Sequence, residues 1–228
     1  MSIDITWLGH SAFKIDIDNH QVLLDPFLSG NPLAAAKPGD LNPEVILLSH
    51  GHGDHLGDTI DIAKRTDATV VSNVEISKWI QRNGVENAVG INVGGTWRGD
   101  FLDARLTIAH HSSSLPDGSY GGQPNGYVIT ADGHKLYFAG DTDVFMEMQL
   151  IGDMGIDLAF LPIGDFFTMG PEDSVRAIQF IRPKVVVPMH YNTWSPIMQD
   201  SSEWANHVNS VTDAKPVVLD PGGSYTLG

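Results

Sequence analysis

The sequence predicts an α/β protein built from packed strands and helices. Residues 3–7 alternate apolar and polar side chains with a period of two, which indicates a strand with one buried face. Residues 45–48 and 185–187 are apolar throughout, as expected for strands covered on both faces. A helical pattern with apolar residues at three-residue spacing stands at 171–181. Buried strands alternating with helices are typical of layered α/β folds.

The first three strands are predicted to form an antiparallel meander. They cover residues 3–7, 13–17 and 21–24, and turn-forming residues at 9–11 and 18–19 separate them. Connections this short are typical of antiparallel neighbours in a sheet.

The buried strand at 45–48 leads into a polar, glycine-rich segment. We expect this segment, residues 50–57, to be a loop because glycine is frequent in it. Asp58 then precedes a helical pattern at 59–65, and its side chain is predicted to cap that helix.

The rest of the chain repeats these elements. Asp132-Gly133, between two strand patterns, predicts a hairpin turn. Residues 112–126 are rich in Ser, Gly and Pro and follow a histidine pair, which favours a long loop that faces the substrate. No break in composition marks a linker, so we expect residues 1–228 to form a single domain. The other predicted strands are residues 68–72, 104–109, 127–130, 135–139, 158–162 and 217–219, and the other predicted helices are residues 74–83 and 202–211.

Composition and charge exclude several classes of protein and site. The 228 residues include no cysteine, so any metal must be held by His, Asp or Glu. Thirteen Lys and Arg residues against 28 Asp and Glu residues give a net charge of -15, which disfavours non-specific nucleic-acid binding. The sequence starts without the basic and apolar regions of a signal peptide, and no apolar run approaches the roughly 20 residues that span a bilayer. We therefore expect a soluble, cytoplasmic protein that does not act at a membrane.

The segment His50-Gly51-His52-Gly53-Asp54-His55 offers four potential metal ligands within six residues. Side chains at positions i and i+2 of a helix point to different faces, so these ligands converge only where the backbone bends. Gly51 and Gly53 are expected to permit the bend, and the strand at 45–48 anchors one end of it. Three histidines and an aspartate in one tight turn therefore predict a metal site.

Further candidate ligands follow three other predicted strands. His110 and His111, Asp141, and His190 each stand at or just beyond the end of a strand. Sites in α/β layers are usually built at the carboxyl ends of strands. Four strands that deliver His or Asp in the same way favour one shared metal site.

These motifs resemble those of metallo-β-lactamase-fold hydrolases, whose H-x-H-x-D-H motif is matched by residues 50–55. The resemblance covers nearly the whole chain and implies a four-layer αβ/βα metallo-β-lactamase sandwich, with the site at one edge between two sheets. Five further segments are similar to the branch that contains ascorbate-6-phosphate lactonase and many uncharacterised bacterial hydrolases: Trp7-Leu8-Gly9-His10-Ser11, Leu24-Asp25-Pro26, His111-Ser112-Ser113, Ala139-Gly140-Asp141-Thr142 and Pro188-Met189-His190-Tyr191-Asn192.

The resemblance also implies a ligand set for two divalent metal ions. The third-motif histidine is assigned to His111 rather than His110, because Ser112-Ser113 follows it as in the related branch. Imidazole and carboxylate ligands suit Zn²⁺, Mn²⁺ and Fe²⁺, so the identity of the metal stays open. The implied ligands are His50, His52 and His111 for the first ion, Asp54, His55 and His190 for the second, and Asp141 as a bridge between both.

The activity that this resemblance implies is hydrolysis of an acyl bond in a small molecule, a lactone, ester or amide, by a hydroxide held between the two metals. Asp54 is the candidate that orients or deprotonates the nucleophile. His10 is a further catalytic candidate, with contact to substrate or leaving group weighed against a structural role. A phosphodiester is the alternative substrate, because the same metal pair serves both reactions. A non-catalytic, metal-stabilised scaffold or sensor is the second alternative.

Several residues near the motifs keep two interpretations. Asp25 is either a hydrogen-bond acceptor for a metal-bound histidine or a turn former before proline. Tyr191 and Asn192 either contact substrate or pack the end of a strand, and Asp165 has no defined role. Relatives in the related branch often assemble, which makes the aromatic segment 191–204 a candidate interface of a homo-oligomer.

Overall fold

The computed structural model describes residues 2–228, in which fourteen strands and six α-helices are present. In chain order the strands are β1 (Ile3–Gly9), β2 (Ala12–Ile17), β3 (His20–Leu24), β4 (Val45–Leu47), β5 (Thr69–Asn73), β6 (Ala88–Ile91), β7 (Thr96–Arg98), β8 (Asp103–Ile108), β9 (Asn125–Ala131), β10 (His134–Phe138), β11 (Leu158–Pro162), β12 (Val185–Met189), β13 (Lys215–Pro216) and β14 (Ser224–Leu227). The helices are α1 (Gly53–Leu56), α2 (Thr59–Thr66), α3 (Val74–Arg82), α4 (Met148–Gly152), α5 (Pro171–Ile181) and α6 (Ser201–Val211).

The strands form two mixed sheets of seven strands each. One sheet has the spatial order β14-β1-β2-β3-β4-β5-β6, and the other has the order β13-β12-β11-β10-β9-β8-β7. The predicted meander is confirmed, because β1, β2 and β3 pair antiparallel. Strands β3 to β6 pair in parallel, and so do β10 to β13. The carboxyl ends of these parallel strands therefore share one edge within each sheet.

The two sheets face each other across the main apolar core. Phe13 of β2 contacts Phe138 and Phe160 of the other sheet, with ring centroids 6.5 and 4.6 Å apart. A second apolar cluster lies on the outer face of the first sheet, where Ile46 packs with residues of α2 and α3 such as Ile76. Helix, sheet, sheet and helix follow one another as layers, which is the αβ/βα sandwich that the resemblance implies.

Most predicted elements occur in the structure. Strand β11 and helix α5 have the predicted bounds, and the others begin and end within two residues of the predicted positions, apart from one strand. The prediction of a strand at 217–219 is wrong. Pairing with β12 ends after β13 because the chain turns at Asp220–Gly223 to add β14 beside β1. Strands β6 and β7 and helix α4 were not predicted from sequence, since they are short and lack a long periodic pattern.

Asp58 precedes helix α2 as predicted, but its side chain does not cap that helix. The backbone at Asp58 (φ −90°, ψ 13°) lacks the extended conformation from which an N-cap side chain reaches the first helical turn. Instead, Asp58 Oδ2 accepts hydrogen bonds from the backbone N–H groups of Leu28 and Ser29, at 2.9 and 2.8 Å. The Asp58 carboxylate thus connects the segment after β3 to the start of α2 through these two hydrogen bonds.

The aromatic segment 191–204 does not present a continuous aromatic surface. Tyr191 is buried with its ring stacked on Trp7, at 5.3 Å between centroids, and Trp204 is buried in the core. Only Trp194 is partly exposed among its aromatic side chains.

The longest helices, α5 and α6, have 11 residues each, and within residues 2–228 no helix has the length and apolar character needed to cross a membrane.

Candidate metal centre

The structure brings the candidate ligands together at one edge of the two sheets. The segment 50–55 follows β4 of the first sheet, whereas His111, Asp141 and His190 follow β8, β10 and β12 of the second. Since these strands end at the same place, residues far apart in sequence meet there. The histidines and Asp54 belong to two adjacent groups of donor atoms, and His50 and His55 also form a third group with Asp25.

The first group contains His50, His52 and His111, whose donor atoms all lie within 4.8 Å of one another. His50 Nε2 is 2.9 Å from His52 Nδ1. His110 lies outside this group, since its ring is exposed and stacks on Phe145 at 4.9 Å between centroids. Of the histidine pair, His111 is therefore the one that the structure brings to the candidate ligands.

The second group contains His10, Asp54, His55 and His190, again with donor atoms within 4.8 Å. Asp141 lies between the two groups. Its Oδ2 atom is 3.2 Å from His55 Nε2, 3.0 Å from His190 Nε2 and 3.7 Å from His111 Nε2. One carboxylate oxygen is thus close to ring nitrogens of both groups.

The bend at residues 50–55 does not arise as the sequence suggested. Neither Gly51 nor Gly53 has a positive φ, and α1 forms one helical turn within the segment expected to be a loop. Gly51 is required for close packing instead, because a Cβ there would lie 3.0 Å from Ser114 O and 3.2 Å from Leu115 Cδ2. A Cβ at Gly53 would contact nothing within 4 Å.

The loop after β8 packs directly on this bend. Ser113 Oγ accepts a hydrogen bond from Gly51 N–H at 3.1 Å. The predicted loop 112–126 is irregular up to residue 124, where β9 follows, apart from one isolated bridge between Ser114 and Tyr120. Of its residues, Ser112 lines the cavity described below.

Gly140 is needed to place Asp141. Its φ is +63°, in the left-handed region that glycine favours. A Cβ at this position would lie 2.8 Å from Ser49 Cβ and 2.9 Å from Asn125 O, so a larger residue would push the end of β10 away from β4. The close approach brings the Asp141 carboxylate between the histidines of both sheets.

Asp25 orients His55 from the side opposite Asp141. It is fully buried and accepts hydrogen bonds from His55 Nδ1 at 2.7 Å, from Ser49 N–H at 2.8 Å and from Ser49 Oγ at 2.5 Å. Donation from Nδ1 leaves His55 Nε2 directed at Asp141. Carboxylates that hold the second nitrogen of a metal-ligating histidine are common around metal sites, and of the two interpretations of Asp25 the geometry supports this one.

His10 contacts Asp54 and is remote from solvent. Its ring is fully buried, with Nε2 3.3 Å from Asp54 Oδ2 and Nδ1 2.8 Å from Thr193 Oγ1. Its backbone is left-handed, with φ 57°, which is uncommon for a residue other than glycine. The ring does not line the cavity and contacts the Asp54 carboxylate instead.

The environment keeps the first group of histidines neutral. Burial lowers the pKa of His50, His52 and His111, and burial also lowers the pKa of His10 to about 4. Neutral imidazole is the form that binds metal ions. These rings can therefore accept a metal near pH 7 without first losing a proton.

In the second group and at Asp141, neighbouring residues stabilise the charged forms of the side chains. Burial alone would raise the pKa of Asp141, but His190 and His55 outweigh it and hold the pKa well below its usual range. His10 likewise offsets the effect of burial on Asp54, whose pKa is lowered. Burial opposes the charged form of His55, yet Asp141 and Asp25 raise its pKa well above the usual range. These shifts favour the ionised forms of the Asp54 and Asp141 carboxyl groups and the protonated form of the His55 imidazole.

Several buried donor atoms of the centre form no hydrogen bond with one another and are free to bind a metal. Among residues 2–228, four buried atoms have no hydrogen-bond partner although they are potential ligands: His55 Nε2, His190 Nδ1 and Nε2, and Asp141 Oδ1. The contact of His55 Nε2 with Asp141 is close enough for an ion pair but lacks hydrogen-bond geometry. Buried polar atoms are nearly always satisfied in proteins, so unpaired imidazole and carboxylate atoms at one point indicate a site for a divalent cation.

A cavity of about 450 Å³ opens above these groups. Its floor is formed by candidate ligands, and its remaining lining by Ser112, Phe167, Trp194 and Pro196. The sequence offered no motif for Phe167 and Pro196, and Trp194 lies in the aromatic segment 191–204 that the sequence indicates as a candidate interface. Tyr191 and Asn192 lie behind the cavity: Tyr191 packs on Trp7, and Asn192 Oδ1 accepts a hydrogen bond from Gln199 N–H.

The Asp25–His55 contact leads to a testable expectation. Asp25→Asn retains the size of the side chain but replaces a charged acceptor of the His55 Nδ1 proton, so metal affinity should fall about 10–100-fold. The measurement is a competition titration of Zn²⁺ against a chromophoric chelator, with circular dichroism to check the fold. Asp58→Asn is the matched control, because the Asp58 carboxylate likewise accepts hydrogen bonds, in this case from two backbone N–H groups, but touches no candidate ligand. Equal affinity in wild type and Asp25→Asn would contradict the orienting role.

Comparison with known proteins agrees with this architecture. Residues 20–191 match the family model of the beta-lactamase superfamily domain. The chain is 47% identical over 226 residues to a UPF0173 metal-dependent hydrolase of Methanopyrus kandleri, covering 97% of this chain and 98% of that protein. It is 44% identical over 231 residues to a UPF0173 metal-dependent hydrolase of Methanosarcina barkeri, covering 100% of both.

A solved structure is similar over the same extent. Igni18, a metallo hydrolase from the hyperthermophilic archaeon Ignicoccus hospitalis, superposes with a TM-score of 0.92 at 37% sequence identity, covering 100% of this chain and 99% of that chain. The relatives by sequence and the similar structure are thus all metallo-hydrolases, and each matches this chain over nearly its full length. The chain belongs to the UPF0173 metal-dependent hydrolase family, within the metallo-β-lactamase superfamily.

Proposed function

We propose that this metal-dependent hydrolase binds two divalent ions and cleaves an acyl bond, in a lactone, an ester or an amide, of a small molecule. The observation that carries the proposal is the pair of donor groups that meet at Asp141 Oδ2 on the floor of the cavity. In this proposal His50, His52 and His111 hold one ion, Asp54, His55 and His190 hold the other, and Asp141 serves both.

The chemistry divides between the ions and the chain. Two bound divalent ions supply Lewis acidity, which lowers the pKa of water toward neutrality and polarises the bond to be cleaved. Asp54 faces the cavity as a carboxylate. Its Oδ2 atom is engaged by His10, so Oδ1 would contact the second ion and orient the attacking water. His10 and Thr193 hold Asp54 in that orientation.

The origin of the candidate ligands in both sheets also supports a single domain. The candidate ligands come from β4 of one sheet and from β8, β10 and β12 of the other. Neither sheet can assemble both groups of ligands alone. We infer that residues 1–228 act as a single unit for this reason.

The charge of the cavity favours an acyl substrate over a phosphodiester. Within residues 2–228 no lysine or arginine lines the cavity, although the chain contains thirteen such residues. A phosphodiester keeps a negative charge throughout its hydrolysis, and arginine or lysine usually helps to neutralise it. The acyl group of a lactone, ester or amide is uncharged before the reaction, so it can bind without a neutralising cationic side chain.

A matched assay tests the proposal. Protein loaded with Zn²⁺ or Mn²⁺ is given a small lactone, p-nitrophenyl acetate and bis(p-nitrophenyl) phosphate, with chelated protein and free metal as controls. We expect the lactone or the ester to be hydrolysed at least about 100-fold faster than by the chelated protein, and the phosphodiester more slowly. Turnover confined to the phosphodiester would replace the acyl assignment. Two bound ions without turnover of any substrate would favour a metal-stabilised scaffold.

A further inference from the structure

We propose that the part of the substrate that does not react is uncharged and apolar, and that Phe167 and Trp194 bind it at the wall of the cavity. The inference rests on the proposed hydrolysis at the metal centre, whose substrate class it narrows. It is carried by three features: the exposure of two aromatic rings beside the candidate ligands, the backbone that holds one of them there, and the absence of cationic groups from the lining in residues 2–228.

Phe167 is held in an exposed position by its backbone. Its side chain is 51% exposed, although it lines the cavity. The two preceding residues, Asp165 and Phe166, both have left-handed backbones, with φ of 60° and 55°. Asp165 stabilises this turn, because its Oδ1 atom accepts a hydrogen bond from Phe166 N–H at 2.8 Å and its own N–H donates to Met169 O. An unfavourable backbone that presents an apolar ring to solvent is typical of functional positions.

Trp194 provides a second aromatic surface on the same cavity. Its ring is 36% exposed and packs edge-on against His10, at 4.9 Å between centroids. Phe27 supports it from another side, at 6.2 Å. Because His10 contacts Asp54, Trp194 lies next to the point where the bond is to be cleaved. Rings exposed in a cavity gain free energy when an apolar group displaces water from them.

The electrostatics of the cavity disfavour an anionic group in the part of the substrate that does not react. Two bound ions would neutralise the carboxylates of Asp54 and Asp141. An anionic group on the substrate that lies away from these ions would meet no Lys or Arg in the described part of the lining. By contrast, another cavity of about 470 Å³ at the ends of α5 and α6 is lined by Arg182 and Lys184. The net charge of -15 adds a general cost to binding an anion. A phosphorylated substrate is therefore disfavoured.

The size of the cavity suits a small molecule. About 450 Å³ lies within the roughly 300–1,000 Å³ of typical small-molecule sites, which are mostly apolar with a few polar groups. Here the polar groups are the candidate ligands and Ser112, and the apolar surface comes from Phe167, Trp194 and Pro196. The expected substrate thus places an acyl group at the centre and an aromatic or branched apolar group against the wall.

Three esters of similar chemical reactivity test the inference on the zinc-loaded protein: benzyl acetate, p-carboxybenzyl acetate and ethyl acetate. We expect kcat/KM to be about 10-fold or more higher for benzyl acetate than for either of the others, since filling an apolar pocket is worth about 10–200-fold. In Phe167→Ala this preference should fall about 10-fold, while ethyl acetate is affected less than about 2-fold. Equal kcat/KM for the charged and uncharged benzyl esters would overturn the inference.

Phe166→Ala is the matched control. Phe166 is 72% exposed, shares the left-handed turn and packs its ring edge-on against Phe167, at 4.8 Å between centroids, but it does not line the cavity. It should keep the preference for benzyl acetate. Trp194→Ala is the second variant, with metal content and circular dichroism measured because Trp194 packs on His10. A preference that is lost in Phe166→Ala as much as in Phe167→Ala would contradict the role of Phe167.

A binding measurement separates this inference from the proposed hydrolysis. The ketone in which a methylene replaces the ester oxygen of benzyl acetate cannot be hydrolysed, and its affinity is measured by calorimetry beside that of its p-carboxy derivative. We expect the uncharged ketone to bind about 10-fold more tightly than the derivative, and Phe167→Ala to remove most of the difference. Binding of the ketone without turnover of any ester would defeat the proposed hydrolysis and leave this inference intact. No binding of the ketone, or equal binding of both compounds, would overturn it.

Discussion

Asp141→Ala is expected to release at least one metal ion per chain and to lower turnover by more than about 100-fold. The reason is that Asp141 Oδ2 lies within 3.7 Å of ring nitrogens from His55, His111 and His190, so one carboxylate serves both donor groups. Replacing a residue that merely orients a metal ligand already costs about 10–100-fold in affinity or activity, and losing a shared ligand should cost more. In the proposed arrangement the second ion should be lost first, because Asp141 Oδ2 lies closer to His55 and His190 than to His111.

Metal content after dialysis, measured by mass spectrometry, and turnover of the best acyl substrate check this expectation together. Asp143→Ala is the control, since Asp143 stands on the same loop but is exposed, and its side chain accepts a hydrogen bond only from Val144 N–H among the contacts that the structure shows. It should keep both metal and activity. Two ions still bound to Asp141→Ala would contradict the shared role of this carboxylate.

Removal of the metal is expected to lower the melting temperature by about 10 °C. A ligand present at about 1,000 times its dissociation constant stabilises the folded state by about 4 kcal/mol, and each kcal/mol shifts Tm by about 2–4 °C in a chain of this size. The buried donors of this centre make the effect large. Without a cation, His190 and Asp141 retain buried atoms that have no hydrogen-bond partner within residues 2–228.

Differential scanning calorimetry of the protein before and after chelation measures the shift. Zn²⁺ or Mn²⁺ added back should restore the original Tm, whereas Mg²⁺ should not, because Mg²⁺ prefers oxygen ligands and most donors here are imidazoles. Asp141→Ala should show a smaller response than the wild type. An unchanged Tm after verified loss of metal would mean that the centre contributes nothing to stability.

The regular elements with long apolar patterns were predictable from sequence. Strand β11 and helix α5 have dense apolar residues and clear ends, and their bounds were predicted correctly. The strand predicted at 217–219 was wrong because pairing at the sheet edges decides where β13 and β14 form. Helix α1 was missed because a single turn of four residues is too short to show an apolar helical period.

The candidate ligands were also accessible from sequence, because their chemistry is visible in the residue type and their placement follows from strand ends. Sequence could not distinguish between the two roles of His10, since its burial behind Asp54 results from packing between β1 and residues near position 193. The same holds for Asp25, whose partner His55 lies 30 positions away in the chain. No local pattern encodes such pairs.

By itself, the sequence determined the fold class, the order of most strands and helices, and the set of histidines and aspartates that can bind metal. Apolar periodicity and residue chemistry are local properties, which a single chain segment displays in full. The grouping of the donors and the central place of Asp141 were implied by the family resemblance, whereas the tertiary structure decided the distances between these residues and that Phe167 and Trp194 face the cavity. These are distances between residues on different strands and loops, and they exist only once the two sheets have packed.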